Sequence, residues 1–147
     1  MKATIIIIDG MGGGIGVQLI TKIRELAFRD AEIVALGANA VAAERMVKAG
    51  AHRGASGENA VRVMAKQGDF ILGPVGIVIA DSMMGEITGG MVRAVLDAPA
   101  ERILLPLEQE HFYIAGLENL PLSGMLDRAV ALLRERMTAG GFSTTPA

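Results

Sequence analysis

Residues 5–19 read IIIIDGMGGGIGVQL: an unbroken β-branched run, then glycines, then the opening of an apolar period. Four successive isoleucines leave no polar face, as in a central parallel strand covered by helices on both sides. Beyond the glycines, Ile15, Leu19, Ile23 and Leu26 recur at helical spacing, with Gln18, Lys22 and Glu25 filling the opposite side. The order is therefore strand, glycine loop, helix.

The same alternation continues outward. Residues 3–8 form the first strand, and residues 32–36 a second one ended by Gly37. Asn39 is placed to cap a helix that stops at Gly50. Residues 51–55 are expected as a short third strand, with Ser56 capping a helix to Lys66 and Gly68 as its stop. A fourth strand over 69–72 ends in Gly73-Pro74-Val75-Gly76. Residues 77–86 are too many for an ordinary structureless connection, so a short helical piece or a lid is expected there.

Thr88 caps a helix to Asp97, which Pro99 prevents from continuing. Residues 102–107 make a fifth strand and 112–115 a shorter sixth, at a sheet edge. In the last helix Leu122, Leu126, Ala129, Leu133 and Met137 share one side. Residues 1–139 are read as a single domain and 140–147 as a loose tail. The expected fold class is α/β, a three-layer Rossmann-like parallel sheet of about six strands in the order 3-2-1-4-5-6. That order puts a crevice at the carboxyl ends of the first and fourth strands.

Composition narrows the function. A length of 147 residues suits one domain with a sizeable core. A net charge of −2 with both signs interspersed, four Phe, one Tyr and no Trp provide neither a basic face nor a stacking platform for nucleic acid. Cysteine is absent, which excludes disulfides and thiolate chemistry and fits a reducing compartment. Apolar runs are far shorter than the roughly 20 residues that cross a bilayer, and Met1-Lys2 leads straight into a strand. No membrane partner is expected, and the location is read as cytoplasmic. The aliphatic excess is compatible with a homo-oligomer.

A glycine loop that opens a helix brings backbone N–H groups close to an anion, and the helix dipole adds about half a positive charge there. Gly10, Gly12, Gly13, Gly14, Ile15 and Gly16 are the candidate phosphate-binding positions. The spacing of Gly10, Gly14 and Gly16 resembles the G-x-x-x-G-x-G loop of short-chain dehydrogenases. The rest of that resemblance fails. Gly37-Ala38-Asn39 stands where a ribose-binding acid belongs, and the sole tyrosine, Tyr113, has Leu117 rather than lysine four residues on. Hydride transfer by that mechanism is excluded. The expected ligand is a nucleotide or dinucleotide, or a small phosphorylated metabolite, with Asn39 available to a ribose. The alternative is that the glycines serve only a tight turn and close helix packing.

Asp9, at the end of the first strand, is a candidate metal ligand or proton acceptor, or the partner of its own loop backbone. Residues 73–90, GPVGIVIADSMMGEITGG, supply Gly73, Gly76, Asp81, Ser82, Glu86 and Thr88 near the same crevice. Asp81 and Glu86 join Asp9 as candidate catalytic carboxylates. Glu58 and Asn59 open the third helix; Met83 and Met84 suit a lid, an interface or the core. His52 and His111 fall outside any triad or metal spacing and are read as surface or structural, so no metal site is expected.

Taken together, IDGMGGGIG, ALGANAVA, AGAHRGASGENA and GPVGIVIADSMMGEIT resemble a family of small bacterial proteins known only as a domain of unknown function. The resemblance runs from about Ile5 to Arg134, with Gly89 where a proline is usual. It implies matched positions at Asp9 to Gly16, Asn39, Gly57 to Asn59 and Asp81 to Thr88, and brings no activity with it.

Overall fold

The computed structural model describes residues 1–107, 113–117 and 120–146. Strand β1 (Ala3–Asp9) leads through the glycine loop into helix α1 (Gly14–Leu26) and β2 (Ala31–Gly37). Helix α2 (Ala40–Lys48), β3 (Arg53–Ser56) and α3 (Glu58–Met64) follow. The chain then forms β4 (Phe70–Pro74), α4 (Gly89–Asp97), β5 (Glu101–Leu105) and α5 (Leu122–Ala139). All strand pairs are parallel and the order is β3-β2-β1-β4-β5. The architecture is α/β and Rossmann-like.

The four isoleucines explain how β1 comes to lie at the centre. Successive side chains of a strand point to opposite faces, so Ile5 and Ile7 enter one apolar layer and Ile6 and Ile8 the other. In the first layer they meet Leu19, Ile20 and Ile23 of α1 with Leu126, Leu133 and Met137 of α5. In the second they meet Val61 of α3 and Met91 and Val95 of α4. Every one of these side chains is buried.

Two local expectations are met by the atoms that motivated them. Asn39 Oδ1 accepts from the Ala42 N–H at 2.8 Å, and Thr88 Oγ1 accepts from the Met91 N–H at 3.1 Å, each capping its helix. Other expectations are corrected. Among the described residues the sheet has five strands, not six. Residues 113–115 pair with no strand and Tyr113 is 94 % exposed, while Phe112 and His111 lie outside the described residues. A short apolar run is only half of a strand signal when no neighbour offers a ladder.

Strand β3 begins at Arg53 rather than Ala51, because the ring of His52 takes the place of a ladder partner: its Nδ1 accepts from the Ile33 N–H at 2.9 Å. Helix α3 is entered through Gly57, whose φ of 95° suits glycine alone, and not through Ser56. Past α5, the Phe142 ring meets Phe70 edge to face at 5.6 Å, and the Arg29 N–H donates to the Thr145 carbonyl. Phe142 and Thr145 thus tie two points of this segment to the rest of the fold. No described helix is long and apolar enough to cross a membrane.

Candidate functional site

Strands β1, β2 and β4 all end on the same edge of the sheet, and β1 and β4 are the pair where strand order reverses. In open parallel sheets ligands bind outside the carboxyl ends at this switch point. Three segments converge there: the loop Gly10–Gly13, the turn at Ala38 and Asn39, and residues 79–87. Placing a Cβ on Gly10 would bring it within 2.7 Å of Met83 Sδ, 2.9 Å of Glu86 Oε1 and 3.1 Å of Ala38 Cβ. The absent side chain of Gly10 leaves the room that Met83 and Glu86 occupy.

Asp9 forms the floor. It is 4 % exposed, and its two carboxylate oxygens accept from the N–H groups of Gly10 and Gly16, both at 2.8 Å. Its side chain therefore occupies the amino end of α1 itself, shaping the loop from within. Burial raises its pKa above the ordinary 3.8, and the negative charge of Glu86 adds to that, against the opposing pull of the N–H bonds from Gly16, Gly10 and Ile15. Among the described residues no three carboxylates or imidazoles converge as metal ligands would.

Glu86 is the second carboxylate at the loop. Its Oε1 accepts from the Met11 N–H at 2.5 Å and its Oε2 from Asn39 Nδ2 at 2.8 Å. Asn39 Nδ2 also donates to the Met11 carbonyl at 2.8 Å. One asparagine thus caps α2 with its oxygen and ties two loops together with its nitrogen. Met11 holds a φ of 51°, a left-handed conformation uncommon outside glycine, to present these backbone groups.

The remaining sequence candidates divide. Gly12 and Gly14 are exposed, and a Cβ at Gly14 would meet nothing within 4 Å, so this side of the loop opens to solvent. Gly13 supplies the φ of 73° that turns the chain into α1. Ile15 packs at the edge of the core, and Gly16 lies tight against Met46. Gly73 sits inside β4, where a Cβ would run into the Ile8 carbonyl; strand packing alone requires glycine there. Gly76 accepts from Ser82 Oγ through its carbonyl at 2.6 Å, a bond that holds the base of the 79–87 segment.

Asp81 is exposed and turns that segment with a φ of 67°. Thr88 belongs to a separate contact, donating to Glu58 Oε1 at 2.5 Å over a Gly90 whose missing side chain leaves room for Glu58. Met84 is 90 % exposed at the tip of 79–87, whereas Met83 packs inward.

Arg45 is the residue that sequence reading passed over. Its Nη1 donates to the Gly12 carbonyl, and among the described residues it has no acidic partner. Helix packing puts it there: Gly13 packs on Ala42, and Arg45 follows three residues later on the same face of α2. A guanidinium at the mouth of a glycine loop is suited to phosphate oxygens.

Residues 4–138 match the model of a domain of unknown function, DUF3842. The chain belongs to that family. The match covers every site residue described above, so the glycine loop, Asn39, Arg45 and Glu86 all lie within the DUF3842 domain. No curated protein matches the chain.

Proposed function

We propose that this DUF3842 chain binds a nucleotide, a dinucleotide or another small phosphorylated metabolite at the Gly10–Gly16 loop. The observation that carries the reading is the meeting of that loop, Asn39 and Arg45, which holds the Gly12 carbonyl, at the carboxyl ends of β1 and β2, beside the β1/β4 switch point. Gly12 and Gly14 face solvent on the side of the loop where a phosphate would approach, and Arg45 supplies the positive charge. In this reading Asn39 serves a ribose by exchanging its Glu86 contact for a ribose hydroxyl. A cysteine-free chain suits the reducing cytoplasm. If the bound molecule reacts, Glu86 is the carboxylate at the loop and Asp81 an exposed one in the same 79–87 segment, because Asp9 is committed to the loop backbone.

Thermal-shift titration with AMP, ADP, ATP, NAD and NADP tests this. At least one probe is expected to raise Tm, and Gly14→Asp is expected to weaken that probe at least tenfold, about 1.4 kcal/mol. The open space around Gly14 lets the variant fold, so its loss of binding reports on the ligand. A panel without any shift, or equal shifts in both proteins, overturns the reading.

A second reading, a non-catalytic subunit acting through an oligomer interface, is favoured by a different observation. A concavity of about 450 Å³ beside β5 and α5 is lined by aliphatic side chains including Ile103, Leu105, Leu120 and Met125. Leu117 and Leu132 line it too while remaining 44 % and 42 % exposed. A second copy of the chain would cover this face. Light scattering is expected to give a dimer that Leu132→Glu dissociates; a monomer at every concentration removes the reading.

A further inference from the structure

We infer that Glu86 is the latch of a strap, residues 79–87, and that a phosphate-bearing ligand opens the strap by taking the donors Glu86 now holds. The inference rests on the binding reading above and adds its regulation: the site carries its own competing anion.

The strap is a closed unit. The Asp81 N–H donates to the Ile87 carbonyl at 2.7 Å, joining its ends, and the Gly85 and Ile87 N–H groups donate to the carbonyls of Asp81 and Ser82. Its base is pinned to Gly76 by Ser82 Oγ and by the Ile79 N–H. Met83 and Ile87 anchor it in the second apolar layer, and Met84 and Gly85 stand exposed at its tip, so the freedom to move lies at the tip that carries Glu86. Its backbone is left-handed at Asp81, Met83, Met84 and Gly85, three of them residues that carry a Cβ and rarely adopt this conformation. Strained backbone of this kind persists where surrounding contacts hold it, and clusters at switch segments.

Among the described residues, the hydrogen bonds from the strap to the loops after β1 and β2 all run through the Glu86 carboxylate, to the Met11 N–H and to Asn39 Nδ2. That carboxylate is therefore the polar tie between the strap and these loops, beside the apolar contact of Met83 at Gly10. The two donors it uses, a backbone N–H and an amide N–H, are the kind that two oxygens of a phosphate accept from. Arg45 holds the Gly12 carbonyl, one residue beyond Met11, through a contact that does not involve Glu86. A ligand bringing its own anion thus exchanges one carboxylate for a phosphate that Arg45 can also reach, and the tip of the strap swings out.

A competitor that occupies the site lowers apparent affinity by the fraction of molecules in which it is bound. Removing it should tighten binding and loosen the strap together. Hydrogen exchange on the full chain, with inorganic phosphate and ADP as probes, tests both consequences in wild type and Glu86→Gln. Glutamine turns an N–H₂ group toward one of the two donors, so the latch fails while the half-exposed position still accommodates the side chain. The amides of Met11 and of 81–87 are expected to exchange at least tenfold faster in the variant, with β1 and β4 unchanged, and ADP or phosphate to bind at least fivefold tighter. Wild type saturated with ADP should show the same fast exchange in the strap.

Unchanged strap exchange in Glu86→Gln overturns the latch, and leaves the binding reading standing if ADP still binds. Faster exchange with equal affinity in both proteins overturns the competition between Glu86 and the ligand. Faster exchange with no binding of either probe to either protein overturns opening by phosphate and the binding reading with it. Glu86→Asp, which keeps the charge but shortens the reach, is expected to release the strap as Glu86→Gln does; a strap that stays closed overturns the bidentate latch.

Discussion

Gly37→Ala is expected to destabilise the protein by about 3 kcal/mol, at the upper end of what overpacking usually costs. Gly37 is the last residue of β2, and a Cβ there would lie 2.5 Å from the Asn39 carbonyl oxygen, 2.6 Å from the Ala43 nitrogen and 3.1 Å from the Ala43 Cα. All three are backbone atoms of the turn and helix that follow. A flexible side chain could swing aside, but here α2 itself must move off the sheet. For a chain of this length the expected fall in Tm is roughly 6–12 °C. Gly14→Ala is the matched control, because nothing lies within 4 Å of its Cβ; it is expected to be neutral or to stabilise by up to about 1 kcal/mol. Equal melting temperatures for the two variants would mean that α2 tolerates the displacement.

The same contact links stability to the site. Asn39 is two residues beyond Gly37, and its amide can cap α2 and reach Met11 and Glu86 only because the chain turns so tightly after β2. The close approach of α2 to β2 is also what lays Arg45 across Gly12. Gly37→Ala should therefore weaken nucleotide binding in the surviving folded protein along with its stability.

Features set by neighbours in sequence were legible, and those set by distant elements were not. Ile5 to Ile8 announce a doubly covered strand because alternation is a local property of extended chain. Asn39 and Thr88 announce helix starts because the bond each makes spans three residues. Glu86 was visible as a carboxylate near the crevice, but its partner, the Met11 N–H, lies 75 positions away and no period or spacing encodes that meeting. Arg45 failed to stand out for the same reason: a basic residue on a helix surface is ordinary until the helix is placed against a loop. The sixth strand was misread because the apolar run at 112–115 was taken without a partner strand, and Tyr113 proves exposed. Gly73 shows the converse limit, since a glycine that lets β4 lie against β1 looks in sequence like one that admits a ligand.

Asp9 should give the sharpest dependence on pH. Removing its side chain in Asp9→Ala leaves the Gly10 and Gly16 N–H groups buried without their acceptors, an expected loss of about 2–4 kcal/mol at neutral pH. Asp9→Asn separates charge from shape. In the folded protein burial and the Glu86 charge hold the Asp9 pKa above 3.8, so above pH 3.8 the folded state keeps a proton that the unfolded chain releases. Stability rises with pH only where the unfolded state binds more protons. Here the folded state binds more, so the Asp9 contribution is largest below pH 3.8 and declines as pH rises through the raised folded value. Urea unfolding of wild type and Asp9→Asn between pH 3 and 7 measures this directly. The stability of wild type relative to Asp9→Asn is expected to fall across that window and then level off. A difference that instead grows with pH would mean that the three backbone N–H groups outweigh burial, and that the loop is built around a carboxylate fully content to be charged.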